Sequence, residues 1–381
     1  MSGTQFDREK ALGPLLGIRV LELGGVGPTP FAGMLLADLG ADVVRIERPA
    51  GYDGGVAVAR RFDVLHRGKR SVNLDLKDEA GVRAARELAQ RAEIVLEGFR
   101  PGVAERLGIG PVQCLEDNPA LVYGRMTGYG QDGPLAAEPG HDIDYIAMTG
   151  VLHAIGSSGG DPVIPLNLVG DFGGGALYLV MGLLAALIEA RTSGKGQIVD
   201  AAMVDGAASL MTLFYGLSQA GQWTEERGEN RLDSGAPWYS VYRAADGNYV
   251  AIGANEARFW SNLLALLGID PAIAGDQHDR AAWPRQRELI ATAIAGADRD
   301  EWMQRAVGRD VCLAPVLSMS EAPQHPHFRA RGTYIEVDGV LQPAPAPRFS
   351  RTPGSVREGP RPTGMDTASV FAEWSVPSQN D

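Results

Sequence analysis

Residues 18–46 constrain the fold more tightly than any other stretch. Ile18 to Leu23 (IRVLEL) is a short apolar run of strand length. A turn rich in glycine and proline follows at 24–30, then Phe31 to Leu39 (FAGMLLADL) with helical spacing, closed by Gly40. Ala41 to Ile46 (ADVVRI) is a second strand. The alternation continues with an amphipathic helix at 78–92, opened by acidic residues that suit a helix N-terminus, and with strands at 94–96 and 121–126. Strands separated by helices require crossovers, and crossovers produce a parallel sheet. The expected fold is α/β, with a Rossmann-like large domain.

The pattern changes near residue 200. A helix is expected over 204–220, a loop-rich stretch over 221–237, and a hairpin over 238–254 turning at Asp246-Gly247-Asn248. Helical patterns follow at 256–267, 281–295 and 300–307. The expected division is a large domain over 1–203 completed by 331–381, a linker over 204–237, and a small α+β domain with its return linker over 238–330. Phe172 to Ile188 is almost wholly apolar but just short of a comfortable membrane span of roughly 20 residues. A buried helix in a large core is expected, with Asp171 as its N-cap.

Composition removes several functions. The chain of 381 residues carries a formal net charge of -12, the wrong sign for a nucleic-acid binder. Two cysteines, Cys114 and Cys312, offer neither a metal-ligand spacing nor a disulfide framework and suit a reducing cytosol. No signal peptide opens the sequence and no peroxisomal address closes it, so the expected location is cytoplasmic, with no membrane partner. The glycine turn resembles a nicotinamide site, but its third glycine position is Pro30, and Pro28 and Pro30 remove backbone donors from a loop meant to hold a pyrophosphate.

Positive residues nevertheless gather before residue 110: Arg45, Arg48, Arg60, Arg61, Arg67, Lys69, Arg70, Lys77, Arg100 and Arg106. Several lie in loops after strands, the ligand end of an open α/β sheet, where they could clamp phosphates. Polar residues in unusual settings occur at 140–145 (GHDIDY), 165–175 (PLNLVGDFGGG) and 253–256 (GANE). From the residues alone, His141, Asp171 and Glu256 are acid/base candidates, but read more simply as a loop residue, an N-cap and a first-turn acid.

Four runs, 16–48 (LGIRVLELGGVGPTPFAGMLLADLGADVVRIER), 67–77 (RGKRSVNLDLK), 97–108 (EGFRPGVAERLG) and 125–134 (RMTGYGQDGP), resemble the class III CoA-transferase (CaiB/BaiF) family. Within it, GHDIDYI, PLNLVGDFGGG and the Glu256 region are similar to the branch that racemises 2-methylacyl-CoA thioesters. The resemblance implies an interlocked homodimer and an acyl-CoA substrate, with CoA part of that substrate and no metal or other cofactor. It implies His141 and Asp171 as acid/base groups on either side of the α-carbon, with Glu256 of a partner chain supporting His141. It implies a CoA and substrate surface formed by Arg48, Leu74, Asp75, Leu76, Lys77, Gly98, Phe99, Arg100, Arg106, Gly140, Asp142, Ile143, Asp144, Tyr145 and Asn167. An amide of the His141-Asp142 turn is the expected donor to an enolate oxygen. A CoA-transferase with Asp171 as nucleophile is the alternative. Whether Asp171 holds a proton stays open: a helix N-terminus opposes it and burial favours it.

Overall fold

The computed structural model describes residues 13–48 and 58–376. The chain forms two compact units. The first comprises the chain up to residue 149, residues 166–210, and the chain from 327 onward; the second comprises 150–165 and 211–326. Residues 150–165, read from sequence as part of the large domain, fold with the second unit, and residues 204–237 divide between the two units at 210/211.

The first unit is built on a parallel sheet of six strands: β1 (Arg19–Glu22), β2 (Asp42–Glu47), β3 (Arg70–Asn73), β4 (Ile94–Glu97), β5 (Val122–Thr127) and β6 (Ile198–Ala202). Their order is β3-β2-β1-β4-β5-β6, the doubly wound Rossmann order. Alternate residues of each strand face opposite sides, so the sheet buries two cores. Val20, Val43, Ile94 and Val122 enter one, beneath helix α1 (Pro28–Asp38) and helix Leu177–Ser193. Leu21, Val44, Val95 and Tyr123 enter the other, beneath helix α2 (Glu79–Gln90) and the late helix Thr367–Glu373 with Trp374. A return hairpin, β10 (Tyr334–Val337) with β11 (Val340–Pro343), belongs to the same unit.

Three helices differ from the sequence expectation, the first being 204–220, which is two helices, Met203–Leu210 and Thr212–Gln219, broken at Met211. Helix α1 begins at Pro28, three residues before Phe31, because proline is tolerated in a first turn whose amides lack intrahelical acceptors anyway. The apolar run does not begin as an α-helix capped by Asp171. Residues Leu168–Ala176 form a π-helix that continues into the α-helix Leu177–Ser193, and Asp171 lies inside the π segment. By length and composition Leu168–Ser193 could cross a membrane, yet Leu179, Leu183 and Leu187 pack into the sheet core. The opposite face leaves Leu177, Met181 and Ile188 exposed, so the helix is buried on one side only.

The second unit holds an antiparallel sheet of β7 (Tyr239–Arg243), β8 (Tyr249–Gly253) and β9 (Leu313–Pro315). The β7–β8 turn falls at Asp246-Gly247-Asn248, where Gly247 takes φ +82°. Helices Ala257–Leu267, Trp283–Ile294 and Arg299–Ala306 close a core around Trp238, Trp260 and Trp302.

Candidate active site

The order β3-β2-β1-β4-β5-β6 reverses direction between β1 and β4. Loops leaving these neighbouring strands diverge there and open a crevice. The loop after β1 carries Gly25 and the loop after β4 carries Gly98. They touch so closely that a Cβ on Gly25 would lie 3.3 Å from the Gly98 Cα. Around this point lies a cavity of about 1690 Å³, well above the roughly 300–1,000 Å³ of a drug-sized pocket.

The wall carries two sets of functional side chains. One is cationic: Arg48, Lys77 and Arg100 are exposed on it, and among the described residues no carboxylate forms an ion pair with any of them. Other members of the basic cluster are structural. Arg67 is buried against Asp38 at 2.6 Å, Arg70 pairs with Asp42 at 2.5 Å, and Lys69 donates to Glu22 at 2.6 Å and to the Pro30 carbonyl at 2.8 Å. Burial lowers the Lys69 pKa to about 8, against the pull of Glu22. The strand before Arg100 ends in a buried acid. Glu97, wholly buried, accepts from the Phe99 amide at 2.7 Å and from Arg125 at 3.0 Å, and burial pushes its pKa up to about 7.

The second set is His141 and Asp171. His141 is the N-cap of helix Asp142–Met148, and its amide donates to Asp144 Oδ2 at 2.9 Å. The Tyr145 hydroxyl donates to the Gly140 carbonyl and closes the turn. The Asp142 amide donates to no acceptor among the described residues. Asp171 Oδ2 accepts from Asn167 Nδ2 at 2.9 Å, and its carboxyl rests on the backbone of Gly27. Burial raises the Asp171 pKa first of all; the Asn167 hydrogen bond lowers it, Asp142 raises it and His141 lowers it. The net direction is upward, so burial outweighs the factors that favour the carboxylate.

The cavity wall also includes Leu74, Asp75, Leu76, Gly98, Phe99, Gly140, Asp144, Tyr145 and Asn167 from the expected set. Three expected residues lie off it. Arg106 ends the short helix Val103–Arg106, exposed to solvent, while Val103 and Leu107 face the cavity instead. Ile143 is exposed, and the Asp142 side chain turns inward to Asp171. Glu256 is the N-cap of helix Ala257–Leu267 in the second unit. Sequence reasoning missed Gly27, Phe172 and Tyr129 on the wall and the Glu97 support behind it. The left-handed turn that needs Gly27 was the available signal, since Gly25-Val26-Gly27 leads straight into a helix.

A doubly wound sheet with a crevice at its switch point and a cationic wall is the class of site that can take an anionic, nucleotide-bearing ligand. The sequence pattern of CoA-transferase family III matches residues 15–367, and the chain belongs to that family. It is 44% identical to the alpha-methylacyl-CoA racemase of Mus musculus over 94% of this chain and 93% of that protein. It is 42% identical to the Homo sapiens racemase of the same name, over 89% and 87%. A solved CAIB/BAIF family protein from Brucella suis superposes with a TM-score of 0.83 at 27% identity, covering 95% of this chain and 99% of that one.

Proposed function

We propose that the protein interconverts the (2R) and (2S) forms of 2-methylacyl-CoA thioesters. The observation that carries this reading is that two proton carriers of different chemistry, His141 and Asp171, line one cavity. A transferase needs the acid alone. The two racemases at 42–44% identity support the same reading.

The α-proton of a thioester is a weak acid, so its removal requires a base and stabilisation of the developing enolate. His141 takes the proton; the Cα–H electron pair moves into the thioester and the carbonyl oxygen becomes the enolate oxygen. The uncommitted Asp142 amide is the donor for that oxygen. The proton on Asp171 then adds to the opposite face, and the enolate pair returns to form the new C–H bond. His141 is left protonated and Asp171 ionised, which is the arrangement that runs the opposite conversion. The raised pKa of Asp171 favours the protonated form this step requires. Arg48, Lys77 and Arg100 are assigned to the CoA phosphates.

We assign the apolar face of Leu177, Met181 and Ile188 to a second copy of the chain rather than to lipid, and Glu256 to the His141 of that copy. Two free cysteines suit a cytoplasmic setting. Incubating a chiral 2-methylacyl-CoA with the enzyme in heavy water tests the reaction. Inversion with deuterium at Cα is expected. CoA transfer to a free acid without α-exchange overturns it in favour of the transferase chemistry. Sedimentation as a monomer would remove the dimer assignment.

A further inference from the structure

Asp142 is 7% exposed, yet no cation pairs with it among the described residues. A carboxylate so buried ordinarily has a charge partner or a full set of hydrogen bonds. Here one oxygen, Oδ1, accepts the backbone amide of Asp171 at 2.7 Å, and the other is buried with no hydrogen-bond partner. The amide is available because Asp171 is the fourth residue of the π-helix. With i→i+5 bonding, the first five amides of such a segment have no intrahelical acceptor. Gly170 makes the approach possible. A Cβ there would stand 2.5 Å from Asp142 Oδ1 and 3.1 Å from Ile146 Cγ2.

Asp142 follows His141 directly in the chain, and its side chain holds the residue that carries the other proton. We infer that Asp142 is a positioning residue that sets the spacing of His141 and Asp171, one through the peptide bond and the other through the amide hydrogen bond. Helix Asp142–Met148 and the π segment are separate elements, and this bond ties the two carriers together across them. His141 keeps its other restraints when the bond is lost, namely Asp144 on its amide and the Tyr145–Gly140 contact behind it. Asp171 loses the tether of its own backbone. The groups facing Asp171 are His141, Asp142 and Tyr145, so removing the Asp142 charge also removes a like charge beside the acid.

The inference rests on the racemase reading, and the test separates the two. Inversion needs both carriers, whereas exchange of deuterium into one enantiomer with retention needs only the carrier on its face. In Asp142→Leu, inversion falls by about 10²-fold, the effect of an ångström of misplacement. Retentive exchange in heavy water persists for the enantiomer whose α-proton faces His141. KM changes little, because the Asp142 side chain does not line the cavity. Asp142→Asn keeps an acceptor oxygen, so inversion stays within about tenfold of the parent while the acid limb of the pH profile moves to lower pH. Gly170→Ala reproduces the asymmetry of the leucine variant from the other side of the bond. Parallel loss of inversion and of both exchange reactions in Asp142→Leu and Gly170→Ala, with Asp142→Asn equally impaired, overturns the inference and leaves a purely structural role. Absence of α-exchange in the unmodified enzyme overturns the racemase reading and the inference with it.

Discussion

Gly27→Ala places one methyl group against the acid. A Cβ at residue 27 would lie 2.7 Å from Asp171 Oδ2 and 3.2 Å from its Cγ. That is roughly 0.7 Å inside ordinary van der Waals contact, so the carboxyl must withdraw by about that distance. The backbone cannot relieve the clash cheaply, since residue 27 sits at φ +60°, ψ -105°, a positive-φ conformation outside the left-handed helical basin, where adding a Cβ costs at least about 1–2 kcal/mol. Misplacement approaching 1 Å costs up to about 10²-fold in rate, and the expected loss falls in kcat rather than in KM. For a unit of this size each kcal/mol lowers Tm by about 2–4 °C, so a fall of several degrees accompanies it. Chiral separation of products against time gives the inversion rate, and thermal unfolding provides the control. Inversion at the parent rate in a folded variant would show that the carboxyl does not need its seat on Gly27.

Removing the carriers themselves gives larger effects: His141→Ala and Asp171→Asn each lower turnover by about 10²–10⁴-fold, while calorimetric binding of a CoA ester stays close to the parent. Near-normal turnover in either variant removes that residue from the mechanism. The profile of kcat/KM against pH is expected to be bell-shaped and coincident for the two enantiomers, because the working enzyme carries one proton between His141 and Asp171. As pH falls the pair takes a second proton and no base remains; as pH rises it loses both and no acid remains. The acid limb lies above the ordinary aspartate value of 3.8, since burial raises Asp171; a limb below it contradicts that environment. Lys69→Met leaves the buried Glu22 with only the longer Arg45 contact at 3.6 Å and costs up to about 3–5 kcal/mol in denaturant unfolding. The double variant Glu22→Leu/Lys69→Met recovers most of that loss, and simple additivity of the two single losses would deny the coupling. Arg100→Ala raises the KM for the CoA ester and weakens its salt dependence with kcat retained; an unchanged KM argues against a phosphate contact.

The sheet was legible because each strand is a short apolar run whose alternate residues fill two cores, as Val20 and Leu21 do. The ligand end of the sheet was legible too, from the basic residues in loops after strands. The π-helix was not. An acid before an apolar run reads as an N-cap, and nothing in the sequence pattern distinguishes i→i+4 from i→i+5 bonding over nine residues. Charge sign was readable in the basic cluster, but its division was not, since Arg67 finds Asp38 and Lys69 finds Glu22 only once the sheet brings them together. Asp142 was expected on the substrate surface because the family resemblance assigns residues 140–145 to it. Its actual bond crosses to another element, and such pairings are set by tertiary contact rather than local pattern. The extent of the second unit was obscured for the same reason: residues 150–165, a four-residue helix followed by a loop, leave the first unit and return with no compositional boundary.

The late segment has a consequence for how the protein is made. Asp366 and Ser71 exchange backbone and side-chain hydrogen bonds at 3.0 and 2.9 Å, Trp374 donates to Asp42 at 2.9 Å, and Arg70 pairs with Glu373 at 2.7 Å, so residues 366–374 cover strands formed near the start of the chain. A ribosome adding roughly 5–20 residues per second reaches residue 374 about 11–45 s after residue 149. For that interval the edge strand β3 and the apolar surface awaiting Phe371 and Trp374 stand open, a template for pairing with other nascent chains. The open edge and apolar face are the surfaces a chaperone would hold during that interval.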